Sequence, residues 1–319
     1  MSKTFITDDL TRKVFVSLYT YKEPKGFGLA LKHKLRDHGV WLLDLSYTRD
    51  TWARDYMPVE IFRDEYLSFR YHPTYIKTEE AHKKYDTDWR TVRMVDRIKL
   101  GEKLNVHDTE LLLDGGNIVK AIDRNGKPCF IMTDKVLTDN AIDKAELQRI
   151  ITQCTDGAVD VVLIPWEGNC YEGGEEDNPI GHSDGVVRYL APGKLLMTNL
   201  AEYEGDEKTG FSNRVKESLV DRFDVIELKY DDVDCPEHQA ESWCYINFLQ
   251  IGKLIILPSM KCDYDQSALR QITEHFKAID EDYVVDMIDY DMTDIIRCED
   301  IDDDEANGGG ALNCLTWTI

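Results

Sequence analysis

Short runs of β-branched and other apolar residues alternate along the whole chain with longer stretches whose apolar positions recur every three or four residues. The short runs predict strands at 12–20, 40–46, 111–121, 159–165, 186–199, 225–230, 254–258 and 283–289. The longer stretches predict helices at 26–38, 78–95, 143–154, 212–223 and 267–279. Asp143 followed by Glu146 gives the third helix a capping-box start. Val215, Leu219, Val220 and Phe223, and Leu269, Ile272, Phe276 and Ile279, form stripes that should face a core. Asn125-Gly126, between two apolar runs, predicts a hairpin turn. Strands alternating with helices indicate an α/β fold, and five strand–helix units suit a small repeated module. No Pro-rich or Gly/Ser-rich linker divides the 319 residues, so 1–319 is read as one domain.

Charge narrows the function. There are 61 acidic and 38 basic side chains, a formal charge of −23. Such a field repels phosphate backbones and anionic lipid and draws small cations, so neither nucleic acid nor a membrane surface is expected as a partner. The longest apolar run falls short of the roughly 20 residues of a membrane span. The first residues lack the apolar stretch and cleavage site of a secretory signal, so a cytoplasmic location is expected. The eight cysteines include no Cys-x-x-Cys pair, and most are expected to be inert buried thiols. The acidic run at 280–305 lacks calcium-loop spacing, and its end, Asp300-Ile301-Asp302-Asp303-Asp304-Glu305, reads as a solvated loop rather than a metal site. Phosphate-binding Gly-rich loops and His-Glu-x-x-His are absent, so no nucleotide cofactor and no metal is expected.

Four segments mix residue types suited to chemistry. They contain Trp52-Ala53-Arg54-Asp55, Asp114-Gly115-Gly116-Asn117, Gly181-His182-Ser183-Asp184, and Gly308-Gly309-Gly310 followed by Cys314. Each has an ordinary reading alone: a capped turn, a loop, a structural histidine, a buried strand thiol. Together they make a site. Three glycines allow close approach to a ligand, and a thiol after them can sit on a strand at a pocket edge. His182 titrates near neutrality and can serve as acid and base beside a thiol, with Asp184 on the same face of an extended segment. Asp55 and Asp184 could hold the planar donor fork of a guanidinium.

This set, in this order, resembles the guanidine-modifying superfamily, and most closely the agmatine deiminase and bacterial peptidylarginine deiminase family. The resemblance implies a pentein-like five-bladed α/β propeller of ββαβ modules. It implies Cys314 as nucleophile, His182 as general acid and base, and Asp55 and Asp184 as guanidinium-binding carboxylates. Trp52, Asp114, Gly115 and Asn117 would line the pocket or brace His182. The acidic residues Glu172, Glu175, Glu176 and Asp177 could receive a distal ammonium, with Glu176 and Asp177 taken as substrate-binding. A small cationic guanidino compound is the implied substrate, agmatine first, with peptidylarginine or free arginine next. Amidino transfer to an amine and guanidine binding without turnover are the alternatives, and the oligomeric state stays open, a homodimer being allowed. Four positions depart from the family pattern. Asp114 stands where Glu is usual, Asn313 where His precedes the cysteine, Met57 where Gly is common, and Leu-Thr-Trp-Thr-Ile replaces a glutamine-rich segment.

Overall fold

The computed structural model describes residues 3–22, 25–73, 78–85, 87–95, 104–166, 181–198, 206–297 and 309–319. Five three-stranded sheets organise it, each with an antiparallel pair and a parallel third strand. The strands are β1 (Val14–Ser17), β2 (Leu42–Leu45), β3 (Val59–Phe62), β4 (Glu65–Arg70), β5 (Asn105–Leu112), β6 (Val119–Ile122), β7 (Pro128–Thr133), β8 (Asp160–Ile164), β9 (Val187–Ala191), β10 (Lys194–Met197), β11 (Asp224–Glu227), β12 (Leu249–Ile251), β13 (Leu254–Leu257), β14 (Val284–Met287) and β15 (Thr316–Thr318). Their sheets are ordered β3-β4-β5, β6-β7-β8, β9-β10-β11, β12-β13-β14 and β15-β1-β2. A parallel pair needs a crossover, and helices supply it between the second and third strand of every sheet. This is the five-module propeller that the resemblance implies.

Local chemistry explains the crossovers. Asp143 accepts the amide of Glu146 at 2.8 Å and starts the helix Lys144–Cys154, whose Leu147 and Ile151 are buried one turn apart. Phe27, Leu31 and Leu35 form the inward stripe of Phe27–Asp37, and Tyr264, Ala268, Ile272 and Phe276 that of Asp263–Ile279. Two stripe members turn outward: Val220 is 59% and Ile279 38% exposed, because the helix Asp206–Leu219 ends before the first and Ile279 closes its own helix. The stretch 78–95 forms two described helices, Glu79–Tyr85 and Trp89–Val95. Asp88 caps the second by accepting Arg90 N at 3.0 Å and the Thr91 hydroxyl at 3.1 Å, which ends the first.

The runs at 111–121 and 186–199 each hold pieces of two strands, and Gly115–Asn117 divides the first. The Asn125-Gly126 turn joins β6 to β7, and the φ of +78° at Gly126 is what calls for glycine there. The strands β3, β4, β7, β12 and β15 have no counterpart among the eight sequence-predicted strand runs, β7 being expected only as the second arm of the Asn125-Gly126 hairpin. The first strand of each sheet is three to five residues long. Four of these strands carry a buried polar residue at their second position: Glu60, Lys120, Arg188 and Gln250. Lys120 Nζ donates to Glu60 O at 3.4 Å and lies 3.5 Å from Asp8 Oδ1, while Arg188 Nη2 meets Asp8 Oδ2 at 3.0 Å. These first strands line the propeller axis, where charge faces charge. The apolar side chains fill the space around them in three clusters, the largest built on Phe27, Leu31, Ile255, Ile256, Ile272 and Phe276.

The ring is closed by the last strand. β15 pairs antiparallel with β1, Phe15 opposite Trp317, and Ile319 O accepts the amides of Arg12 and Lys13. Trp317 is buried against Phe15 and donates Nε1 to Pro58 O at 2.8 Å. No described helix is long and apolar enough to cross a membrane.

Candidate active site

Each sheet hands the chain to the next through a short helical turn that ends just before the next first strand. The turns are Ala53–Tyr56, Gly115–Asn117, Ser183–Gly185, Ser242–Ile246 and Leu312–Leu315. They pack on one another around the axis. Residues far apart in sequence are thereby brought to one end of the propeller.

Gly116 marks the centre. A methyl group there would lie 2.7 Å from Asp55 Oδ1, 2.8 Å from His182 Nδ1 and 3.4 Å from Asp184 Oδ2. Its own amide donates to Asp55 Oδ1 at 2.8 Å. Cys314 Sγ faces Asp184 Oδ2 at 3.7 Å. His182 Nε2 is 2.9 Å from Asp114 Oδ2, and its Nδ1 is 3.9 Å from Asp55 Oδ1. A thiol, an imidazole and two carboxylates therefore surround one small volume.

Two local expectations are corrected. Cys314 stands not on a strand but on the turn Leu312–Leu315, immediately before β15. Asn247 Oδ1 accepts the amides of Asn313 at 3.1 Å and Cys314 at 3.3 Å, which curls the segment. His182 and Asp184 do not share the face of an extended segment: Gly185 N bonds to His182 O at 3.2 Å, and the resulting 3₁₀ turn aims both inward.

Asp55, Asp114 and Asp184 are buried. Burial pushes the Asp55 carboxyl up to about 8, and the neighbouring Asp114 and Asp184 add to it against the imidazole of His182. Burial pulls on His182 in the opposite sense, but the three carboxylates prevail and raise it to about 9. Burial, with Asp184 and Asp55, lifts the Cys314 thiol well above its ordinary value. Cys314 is therefore a neutral thiol at rest, beside an imidazole held protonated by its carboxylates.

Trp52 forms a wall. A methyl at Gly310 would lie 2.5 Å from its ring and 3.1 Å from Cys314 Cβ, so the glycine lets indole and nucleophile approach. Asp114 braces His182 through the contact already described. Asn117 is turned away, its Oδ1 accepting Thr133 N at 2.8 Å, Thr133 Oγ1 at 3.0 Å and Ser183 N at 3.1 Å. It ties β7 to the turn bearing Asp184. Gly115 packs against the Arg54 carbonyl. Glu172, Glu175, Glu176, Asp177 and Gly308 lie outside the described residues.

Sequence reasoning missed Asn247, Asn313 and Arg54. Arg54 donates Nη2 to Asn313 Oδ1 at 3.0 Å, and Asn313 donates Nδ2 to Asp184 Oδ2 at 2.6 Å. The signal for Asn247 is positional. It stands two residues before β12, as Asn117 does before β6 and Cys314 before β15.

The sequence matches the family model of the Porphyromonas-type peptidyl-arginine deiminases over residues 23–318. The chain belongs to that family. Membership makes it a deiminase of the guanidino-modifying group, acting on C–N bonds. Among solved structures, a protein provisionally named a peptidyl-arginine deiminase is 18% identical with TM-score 0.67, covering 100% of this chain and 99% of that one. A substrate-bound cysteine-to-serine variant of C. jejuni agmatine deiminase is 16% identical with TM-score 0.65, covering 100% and 96%. Agmatine deiminase of Enterococcus faecalis is 16% identical with TM-score 0.62, covering 97% and 93%. At these identities the structures establish the shared propeller fold. No curated protein matches the sequence.

Proposed function

We propose that this deiminase hydrolyses the guanidino group of a small cation, agmatine first among candidates, to a ureido product and ammonia. The reading rests on one observation: a thiol, an imidazole and two carboxylates meet above Gly116. A guanidinium bound between Asp55 and Asp184 brings a second positive charge, directly beside the thiol. That charge favours both carboxylates in ionised form and lowers the thiol's proton affinity, so the thiol proton is released to solvent. Cys314 Sγ then attacks the central carbon, and protonated His182 gives its proton to the departing ammonia. The adduct left on Sγ is a thiouronium cation, held by the same carboxylates. Neutral His182 next takes a proton from water, whose oxygen attacks the carbon. The C–S bond breaks, sulfur leaves as the thiolate, and the proton remaining on the new carbonyl oxygen passes to solvent.

Agmatine is favoured over arginine by the acidity of the chain and by the likeness to agmatine deiminases. Peptidylarginine is the second reading, favoured by the family model. The deciding experiment measures ammonia and ureido product from agmatine, arginine and arginyl peptides, with no amine acceptor present, for the wild type and Cys314→Ala. Agmatine should turn over fastest, and Cys314→Ala should be silent. Turnover that persists in the variant sinks the thiol mechanism, and product that appears only with an added amine makes the enzyme a transferase.

A further inference from the structure

We propose that Asn313 is a positioning residue that aims Asp184 at the substrate, acting as a neutral adaptor between the buried Arg54 and that carboxylate. The inference rests on the deiminase reading for its kinetic consequence, though not for its geometry. Asn313 is buried, and both ends of its amide are committed. Arg54 can only donate, so it fixes the amide oxygen, with Nη2 to Oδ1 at 3.0 Å. An ionised carboxylate can only accept, so it fixes the amide nitrogen, with Nδ2 to Asp184 Oδ2 at 2.6 Å. The side chain cannot flip without breaking both bonds. The backbone is held as firmly, because Asn247 takes the Asn313 amide on its own carbonyl at 3.0 Å.

The oxygen held by Asn313 is the one that faces Cys314 Sγ, at 3.7 Å. The amide therefore sets where the guanidinium sits relative to the attacking sulfur. It also carries the pull of Arg54 to Asp184 without placing a second charge beside the thiol. Against it stand Arg54 from the first turn and Asp184 from the third, with Cys314 next to it in its own turn and His182 and Asp114 beyond Asp184. Asp55 also belongs to the first turn, and Arg188 lies behind Asp184 on the axis.

Asn313→Asp separates the two halves of the adaptor. It keeps the acceptor that Arg54 needs and matches asparagine in size, but when ionised it offers Asp184 no donor. When protonated it can donate to Asp184 as the amide does. The ratio of kcat/KM between variant and wild type should therefore depend on pH. It should lie within about tenfold of unity at the acid end and fall by about a further 100-fold as the introduced carboxyl ionises, the effect of a misplaced reacting group. Asn313→Ala lacks the donor at every pH, so its ratio should be low and flat. It also leaves room for water if the carboxyl variant does not fold. A flat ratio in folded Asn313→Asp overturns the assignment, as does Asn313→Ala with kcat/KM within about threefold of wild type. The rate of Cys314 alkylation by iodoacetamide against pH should gain a new inflection in Asn313→Asp. Its absence overturns the assignment whether or not the wild type deiminates. Its presence in an enzyme inactive on the substrate panel overturns the reaction and leaves the adaptor standing.

Discussion

Replacing Gly116 with alanine adds one methyl group at the point where the reacting groups meet. The backbone tolerates the change, because Gly116 is not among the residues with positive φ. The new carbon would sit 2.7 Å from Asp55 Oδ1 and 2.8 Å from His182 Nδ1. Ordinary contact is about 3.5 Å, so each group must retreat by about 0.7 Å or the turn must shift as a whole. Overpacking of this kind costs about 1–3 kcal/mol of stability. Misplacement approaching 1 Å costs about 100-fold in rate, or about 2.7 kcal/mol of transition-state stabilisation. Activity should therefore collapse while the protein stays folded. The assay is ammonia release from agmatine beside thermal denaturation, with Gly115→Ala for contrast. There the methyl would lie 2.0 Å from the Arg54 carbonyl, so that variant should fail in folding as well. A folded Gly116→Ala with kcat/KM within about threefold of wild type would refute the convergence of these groups on the reacting centre.

The ionisations give a pH profile. Asp55 must be ionised to hold the cation and His182 protonated to expel ammonia, so kcat/KM should rise through about 8 and fall above about 9. Asp114→Asn removes an anion that faces the imidazole, which lowers the raised His182 value and moves the falling limb to lower pH by about one unit or more. A limb that stays in place would remove Asp114 from the brace. Asp55→Asn keeps the size of the side chain but loses its charge, and kcat should fall by about 100-fold or more, as for loss of one transition-state contact. An unchanged kcat would mean that Asp55 serves only to bind Gly116 N.

The crossover helices were legible because their physics is local: a cap at Asp143 and stripes such as Leu147 with Ile151 need only neighbours a few residues away. The first strand of each sheet obeys a different constraint. It lines the axis, so a strand such as Val59–Phe62 carries Glu60 inside, and its four residues break the apolar pattern even though its partner β4 follows directly in sequence. Binary patterning reads such a piece as a loop. The site divides in the same way. Asp55, His182, Asp184 and Cys314 were found because glycine-rich turns and unusual residue types mark them. Asn247 is a common residue, visible only once the turns are stacked, and Asn313, noticed as a departure from the family pattern, gains a role only there. Cys314 was expected on a strand following three permissive glycines, whereas the amides that curl it are captured by Asn247, 67 positions from the cysteine.

Closure of the ring by β15 sets the order in which the pocket becomes complete during synthesis. Asp55, Asp114, His182 and Asp184 all leave the ribosome before the sulfur does, and that sulfur gains its seat only when the following strand pairs with β1. Loss of even the short piece from Thr316 onward would undo the seam and the chemistry together.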